Sequence, residues 1–310
     1  AASDVYKRQP QVSSEKEVVA NERKLRVDDD VEGKALELLY ETAFRRHPYG
    51  WPTIGSMEDI RGFTVGDCRD FYRRHYSPGN ATIVIAGDFD ERRALRLVQK
   101  HYGAFPRVRV PEPSAAPAEP MQRAERVRTL EAPTPAEKLL LGYRAPEFSH
   151  RDTPALTLAN EVLFGGRSSR IHRRFCVDEE LALSVRGSIS PFVDPGLFEM
   201  WIFVRQGKSR QEALALLDRE LRELAELGPS ETELATARSQ HELSFLHSLE
   251  TAGGKAEQVG FYETVVHDGA AVFDRLEAYR GVTPADVRRA ARTYLRPSRR
   301  TRIEILPGAA

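Results

Sequence analysis

Two stretches far apart in the chain spell the same unit. TVGDCRDFYRRHYSPGNATIVIAG (64–87) and TPADVRRAARTYLRPSRRTRIEILPG (283–308) each open on a Thr cap, place an Asp three residues on and an Arg two further, close a helical run on a Tyr, turn at a Pro, and continue as an apolar run. Thr64 corresponds to Thr283, Asp67 to Asp286, Arg69 to Arg288, Tyr76 to Tyr294 and Pro78 to Pro297. One match could arise by chance. Five in order at a nearly constant offset imply two copies of one helix–turn–strand unit closing two similar domains. The expected fold class is therefore α+β, with two homologous domains, each an antiparallel-type sheet packed with helices.

A length of 310 residues accommodates two such cores. Residues 14–44 read as a helix, broken near Asp28-Asp29-Asp30, that ends at the irregular HPYGWPTIG loop (47–55). A helix follows Thr64, the turn SPGN comes next, and ATIVIAG (81–87) has the β-branched composition of a strand. Asp90 opens a further helix that ends near Tyr102. Five prolines from Pro106 to Pro120 mark a semi-rigid linker, placed at 106–125, between a first domain at 10–105 and a second at 126–310. In the second domain the pattern predicts strands at 138–143 and 198–204, and helices at 153–164, 209–227, 230–249, 271–280 and after Thr283. Residues 1–9, AASDVYKRQ, read as non-native sequence.

Lys plus Arg and Asp plus Glu are 46 each, so no net field favours nucleic acid or an anionic surface as a partner. Cys68 and Cys176 form neither a CxxC pair nor a metal-finger spacing, which excludes a disulfide scaffold. No apolar run reaches membrane-spanning length. HELSFLH (241–247) begins like a HExxH metal helix, but Phe245 stands where the second His would be. His241 and His247 are six residues apart and cannot share one metal, so they read as exposed helix positions. GGRSSR (165–170) lacks the Lys-Ser/Thr ending of a phosphate loop and reads as a turn and helix cap. His47 beside Pro48 reads as a loop residue bonding locally, Cys68 as a buried structural thiol, and no GxSxG nucleophile motif is present. Glu15 and Glu22 lie seven residues apart, two helical turns, and so point the same way. Spacing alone leaves them a solvated face.

Context changes that reading. EKEVVANERKLRVDDD (15–30), HPYGWPTIGSMEDI (47–60) and FYRRHYSPGNATIVIAGDF (71–89), followed by LLLGYRAP (139–146), ANEVLFGGRSSRI (159–171), ETAGGKAEQ (250–258) and VTPADVRRAARTYL (282–295), resemble the zinc metallopeptidases of the pitrilysin/insulinase family, in order and over nearly the whole chain from Ser13. The bacterial members are most similar. The resemblance implies that family's metallohydrolase fold. It also implies a zinc site built from two histidines of an HxxEH helix and a Glu on a following helix, with the motif's own Glu as general base. Glu22 falls at the liganding position, and Glu15 at the acid that orients the site, so the implied cofactor is Zn2+.

No HxxEH occurs in the sequence. In the family the motif lies upstream of the third ligand, so the chain is expected to be an N-terminally truncated catalytic half, its first domain incomplete and inactive as it stands. The half without zinc carries an Arg and, seven residues on, a Tyr that bind substrate. Here Cys176 and Leu183 stand at those places, the pattern of a catalytic half. The implied function is that of a zinc endopeptidase half acting on peptides or unfolded segments in an enclosed chamber. Its partners are a peptide substrate and a second homologous half, fused or separate, bearing the Arg/Tyr pair. The alternative is a non-catalytic partner or structural subunit of such a peptidase. Similarity to bacterial members favours the cell envelope over the cytoplasm.

Overall fold

The computed structural model describes residues 9–106 and 116–308. Helix α1 (Gln9–Arg23) runs into one π turn (Lys24–Asp28), and Asp30 then caps α2 (Val31–Ala43) by accepting from the Gly33 N–H. The break expected at the three aspartates is therefore a π turn followed by an N-cap. Short α3 (Met57–Gly62) packs beside α1, and α4 (Val65–His75) and α5 (Glu91–Tyr102) follow. Then come β1 (Arg126–Ala132), β2 (Lys138–Arg144), α6 (Thr153–Phe164), β3 (Ala182–Ile189), β4 (Leu197–Val204), α7 (Arg210–Leu227), α8 (Glu231–Ser248), α9 (Ala252–Val265), α10 (Ala271–Arg280), α11 (Pro284–Tyr294) and β5 (Arg300–Pro307). Of these, α3, β1, β3 and α9 are not among the elements that the sequence pattern predicts.

The strands form one sheet in the order β1-β5-β2-β4-β3. It is mixed rather than purely antiparallel, because β1 runs parallel to β5 while every other pair is antiparallel. Its two faces carry two cores. On one, Leu139, Leu141, Phe198, Met200 and Ile202 pack under α6, α7, α8 and α11. On the other, Leu140, Trp201, Ile303 and Ile305 receive Ala35, Leu39 and Ala43 of α2. Close approach of α2 depends on Gly142, where an added Cβ would come within 3.1 Å of Leu39 Cδ1. The α2 helix, which the sequence assigns to the first domain, thus lies against the sheet of the second.

The two copies of the repeated unit share their caps. Thr64 with Asp67 and Thr283 with Asp286 both form reciprocal capping boxes. Their strands differ. In the second copy, β5 is central, whereas residues 81–87 form no ladder, so the strand expected there is absent among the described residues. The backbone at Ala81 is extended, but an extended segment becomes a strand only beside another. Helices α4 and α5 bury no residue, and Phe71, Ile83, Ile85, Leu95 and Phe105 are exposed. Of the Pro-rich linker at 106–125, residues 107–115 lie outside the described residues. Its later part is tied down: Glu119 accepts the Arg45, Arg46 and His47 N–H groups, and the buried Gln122 amide donates to the Arg300 carbonyl. No described helix is long and apolar enough to cross a membrane.

Candidate functional site

Glu15 and Glu22 belong to one uninterrupted helix, α1. At 1.5 Å per residue they are about 10 Å apart along its axis. Glu15 is exposed. Glu22 is half-exposed, with Arg26 Nε 3.2 Å from its carboxylate. The π turn begins two residues after Glu22, and the widened backbone closes with the Asp29 N–H donating to the Lys24 carbonyl at 2.8 Å. Between Glu22 and that turn sits Arg23, buried, its guanidinium forked onto both Glu37 oxygens at 3.0 and 3.1 Å and onto the Gly55 carbonyl at 2.8 Å. Those bonds to Glu37 hold Arg23 above the ordinary arginine value, against the opposing effect of burial. One side chain thereby fixes α1, α2 and the loop after Pro48 relative to each other.

Glu22 lines a cavity of about 980 Å³ between these helices, the 48–54 loop and the sheet. Its walls include Leu36, Tyr49, Trp51 and Phe192, and Tyr40 and Glu199 also line it. The Tyr40 hydroxyl donates to Glu199 at 2.6 Å and lies 2.7 Å from Ser190 Oγ, which accepts the Leu197 N–H. Burial raises the Glu199 carboxyl, with the bonds from Tyr40 and Ser188 pulling the other way, and burial likewise raises Tyr40. Tyr49 accepts the Asp194 N–H at 3.1 Å and packs on Phe192. His47 stands behind this wall. Its Nδ1 accepts the Tyr49 N–H at 3.2 Å, which places the proton of the neutral ring on Nε2, 3.4 Å from Asp194. That local bonding is the role its sequence position predicts.

The other candidates fall away from this cavity. His241 is half-buried rather than exposed, packed on Tyr279 with ring centroids 3.9 Å apart, and burial followed by the nearby Arg275 charge pushes it down to about 4. His247 lies 3.7 Å from Glu250 at an exposed position. Cys68 is half-buried rather than buried, and Cys176 sits in a second π turn (Arg173–Asp178), its thiol raised by burial. Leu183 is exposed on β3. The GGRSSR segment is a turn with Gly166 at positive φ, followed by Ser169 at a helix start and Arg170 paired with Glu233. Among the described residues no three His, Cys, Asp or Glu side chains come together as a metal site. A catalytic zinc takes three protein ligands, so Glu22 and its neighbours do not complete one by themselves.

Tyr40, Ser190 and Glu199 were not singled out in the sequence. One signal was present: Glu199 is the lone charge within the apolar run LFEMWIFV, and a charge at such a position calls for a polar partner or a site. Its partner, 159 residues earlier, could not be named from the pattern.

Residues 62–241, more than half of the chain, match the family model described as the peptidase M16 inactive domain. Glu15 and Glu22 lie outside that span. A zinc protease of Helicobacter pylori named PqqE is 27% identical over 300 residues, covering 94% of this chain and 66% of that protein. An uncharacterized zinc protease of Streptomyces coelicolor is 29% identical over 279 residues, covering 87% and 60%. The chain thus spans less than two thirds of the length of these relatives. Among solved structures, a protease from Helicobacter pylori superposes with a TM-score of 0.87 at 24% identity, covering 97% of this chain and 72% of that one. A peptidase M16 inactive domain from Pseudomonas fluorescens gives 0.85 at 19% identity, covering 98% and 71%. At those identities the structures speak for the fold alone.

Proposed function

This chain belongs to the M16 peptidases, the pitrilysin/insulinase group, and we propose from that premise that it works as the half of a zinc-dependent endopeptidase that contributes Glu22 to the metal. The supporting observation is a juxtaposition. Glu22 and the end of β3 line the same cavity, and β3 is an edge strand. An edge strand presents a row of unpaired N–H and C=O groups that an extended peptide takes up as an added strand. A peptide held there would lie at the cavity that Glu22 also lines. In this reading the two histidine ligands and the general base come from an HxxEH segment outside the 310 residues, and a second homologous half bearing the Arg/Tyr pair encloses the substrate. Glu15, two turns from Glu22 on the same helix, is exposed and outside that cavity; its part in this reading, the acid that would orient the ligand set, rests on the family resemblance. Arg26, 3.2 Å from the Glu22 carboxylate, would have to give up that pairing for Glu22 to hold the metal.

The test uses the longer protein carrying an HxxEH segment, with zinc content and chelator-sensitive cleavage of a quenched peptide as separate readouts. Glu22→Gln is expected to lose both. Glu15→Gln is expected to weaken metal affinity by about 10–100-fold, as other partners of metal ligands do. A zinc-loaded, active protein indifferent to Glu22→Gln would sink the assignment. The second reading, a non-catalytic partner subunit, draws support from the inactive-domain description of the matched family model. It predicts a longer protein without HxxEH, and a chain that raises cleavage only when mixed with a separate catalytic half.

A further inference from the structure

Charge is balanced over the whole chain but not locally. From Arg288 to Arg302 stand seven arginines and no acidic residue. Four of them are tied down: Arg289 to Asp152, Arg300 to Glu125 and Asp218, Arg302 to Glu125, and Arg299 to the Thr293 carbonyl. The other three, Arg288, Arg292 and Arg296, are exposed and form no ion pair among the described residues. Arg288 and Arg292, four apart, share a side of α11, and Arg296 follows where the helix ends.

This row borders a cavity of about 480 Å³ between the C-terminal parts of α7 and α11, on the sheet face opposite α2. Buried Leu221, Ala291 and Leu295 line it, Arg292 and Arg296 stand on one side, and Arg222 of α7 stands on the other. The Arg296 Nε donates to the Arg292 carbonyl at 2.5 Å, which holds the side chain back over the end of α11 and leaves both Nη groups without a described partner. Two carboxylates also line the cavity. Asp218 is engaged by Arg300 at 2.5 Å, so three guanidiniums face one unengaged carboxylate, Glu226.

A helix C-terminus attracts cations, which accounts for Arg292 in the last turn of α11. It does not account for Arg222, which lies before the last turn of α7. Like charges gathered around one recess repel, and an anion seated between them turns that repulsion into attraction. The planar fork of a guanidinium matches phosphate oxygens, and three forks suit a group with three terminal oxygens better than a carboxylate with two. A dianion also matches the excess of the lining, three guanidiniums less Glu226.

We propose that the groove between α7 and α11 binds the terminal phosphate of a ligand, held by Arg222, Arg292 and Arg296, with the body of the ligand against Leu221 and Leu295. The site lies apart from the Glu22 cavity, and the proposal stands whether or not the peptidase reading holds.

Two probes test it on the 310-residue chain at low ionic strength. Pyrophosphate is followed by isothermal titration calorimetry, and phosphatidylcholine vesicles with and without phosphatidic acid by co-sedimentation. Pyrophosphate is expected to bind one to one. Arg222→Gln and Arg292→Gln should each weaken it about tenfold, the scale of one lost charge-assisted bond. Arg222→Lys, which keeps the charge but not the fork, should fall between. Glu226→Gln should tighten binding. All these positions are exposed, and circular dichroism checks that each variant is folded. Arg92→Gln removes the same charge from an exposed position on α5 and should leave the affinity unchanged. An equal loss there would show diffuse attraction only and overturn the site. Co-sedimentation with phosphatidic acid that Arg222→Gln abolishes, without pyrophosphate binding, would put the phosphate on a lipid headgroup and keep these arginines as its holders. Binding of neither probe, or pyrophosphate binding indifferent to Arg222→Gln, would overturn the proposal.

Discussion

Replacing Arg23 by Met isolates the bond set that holds the site together. Met retains an unbranched stem of similar reach but no donor, so the two bonds to Glu37, the one to the Gly55 carbonyl and the 3.5 Å approach to Asp28 are all lost. Removing one member of a buried ion pair costs about 3–5 kcal/mol, chiefly because the other charge is stranded. Glu37 keeps 27% of its side chain exposed, so water recovers part of that loss. The expected destabilisation is about 2–3 kcal/mol. The double variant Arg23→Met/Glu37→Met strands no charge and should lie within about 1 kcal/mol of the original protein. Urea titrations followed by far-ultraviolet circular dichroism measure both. Tryptophan fluorescence adds location, because Trp51 lies in the loop that Arg23 fastens through Gly55 and Trp201 is buried in the sheet. Loosening should reach the Trp51 signal at lower urea than the Trp201 signal. A single variant costing less than about 0.5 kcal/mol, or a double variant no better than the single, would refute the reasoning.

Leu39→Ala removes a fully buried side chain between α2 and the sheet, and the close approach at Gly142 leaves little freedom to collapse around the gap, so about 3 kcal/mol should be lost in the same titration. A loss under about 1 kcal/mol would mean that α2 is not docked as described. His241 resists protonation in the folded chain down to about 4, whereas the unfolded chain takes the proton near 6.5. The unfolded state therefore binds more protons in that window, and stability should decline as pH falls from 6.5 toward 4. His241→Gln should flatten that decline, and an unchanged pH profile would show the imidazole to be freely hydrated. The chain alone, with one carboxylate where a catalytic zinc needs three protein ligands, should show no chelator-sensitive peptidase activity, which a quenched-peptide assay checks.

Short-range chemistry was legible in the residues. The Thr-x-x-Asp boxes at Thr64 and Thr283, the helix start at Asp90 and the helix at 153–164 follow from contacts within a few positions, and each forms in the structure as its local sequence implies. The spacing of Glu15 and Glu22 within one helix is of the same kind. Pairing was not legible. Residues 81–87 and 300–307 end the same repeated unit, yet the second lies between β1 and β2 while the first has no neighbouring strand among the described residues, because a ladder needs a partner that its own sequence does not name. The pairing of β3 with β4 at the sheet edge, and the meeting of Tyr40 with Glu199 across 159 residues where α2 lies on the sheet, belong to the tertiary structure alone. Burial turned a lone glutamate in an apolar strand into a carboxylate facing a cavity, since the desolvation that gives it chemical meaning exists only after the chain has closed around it.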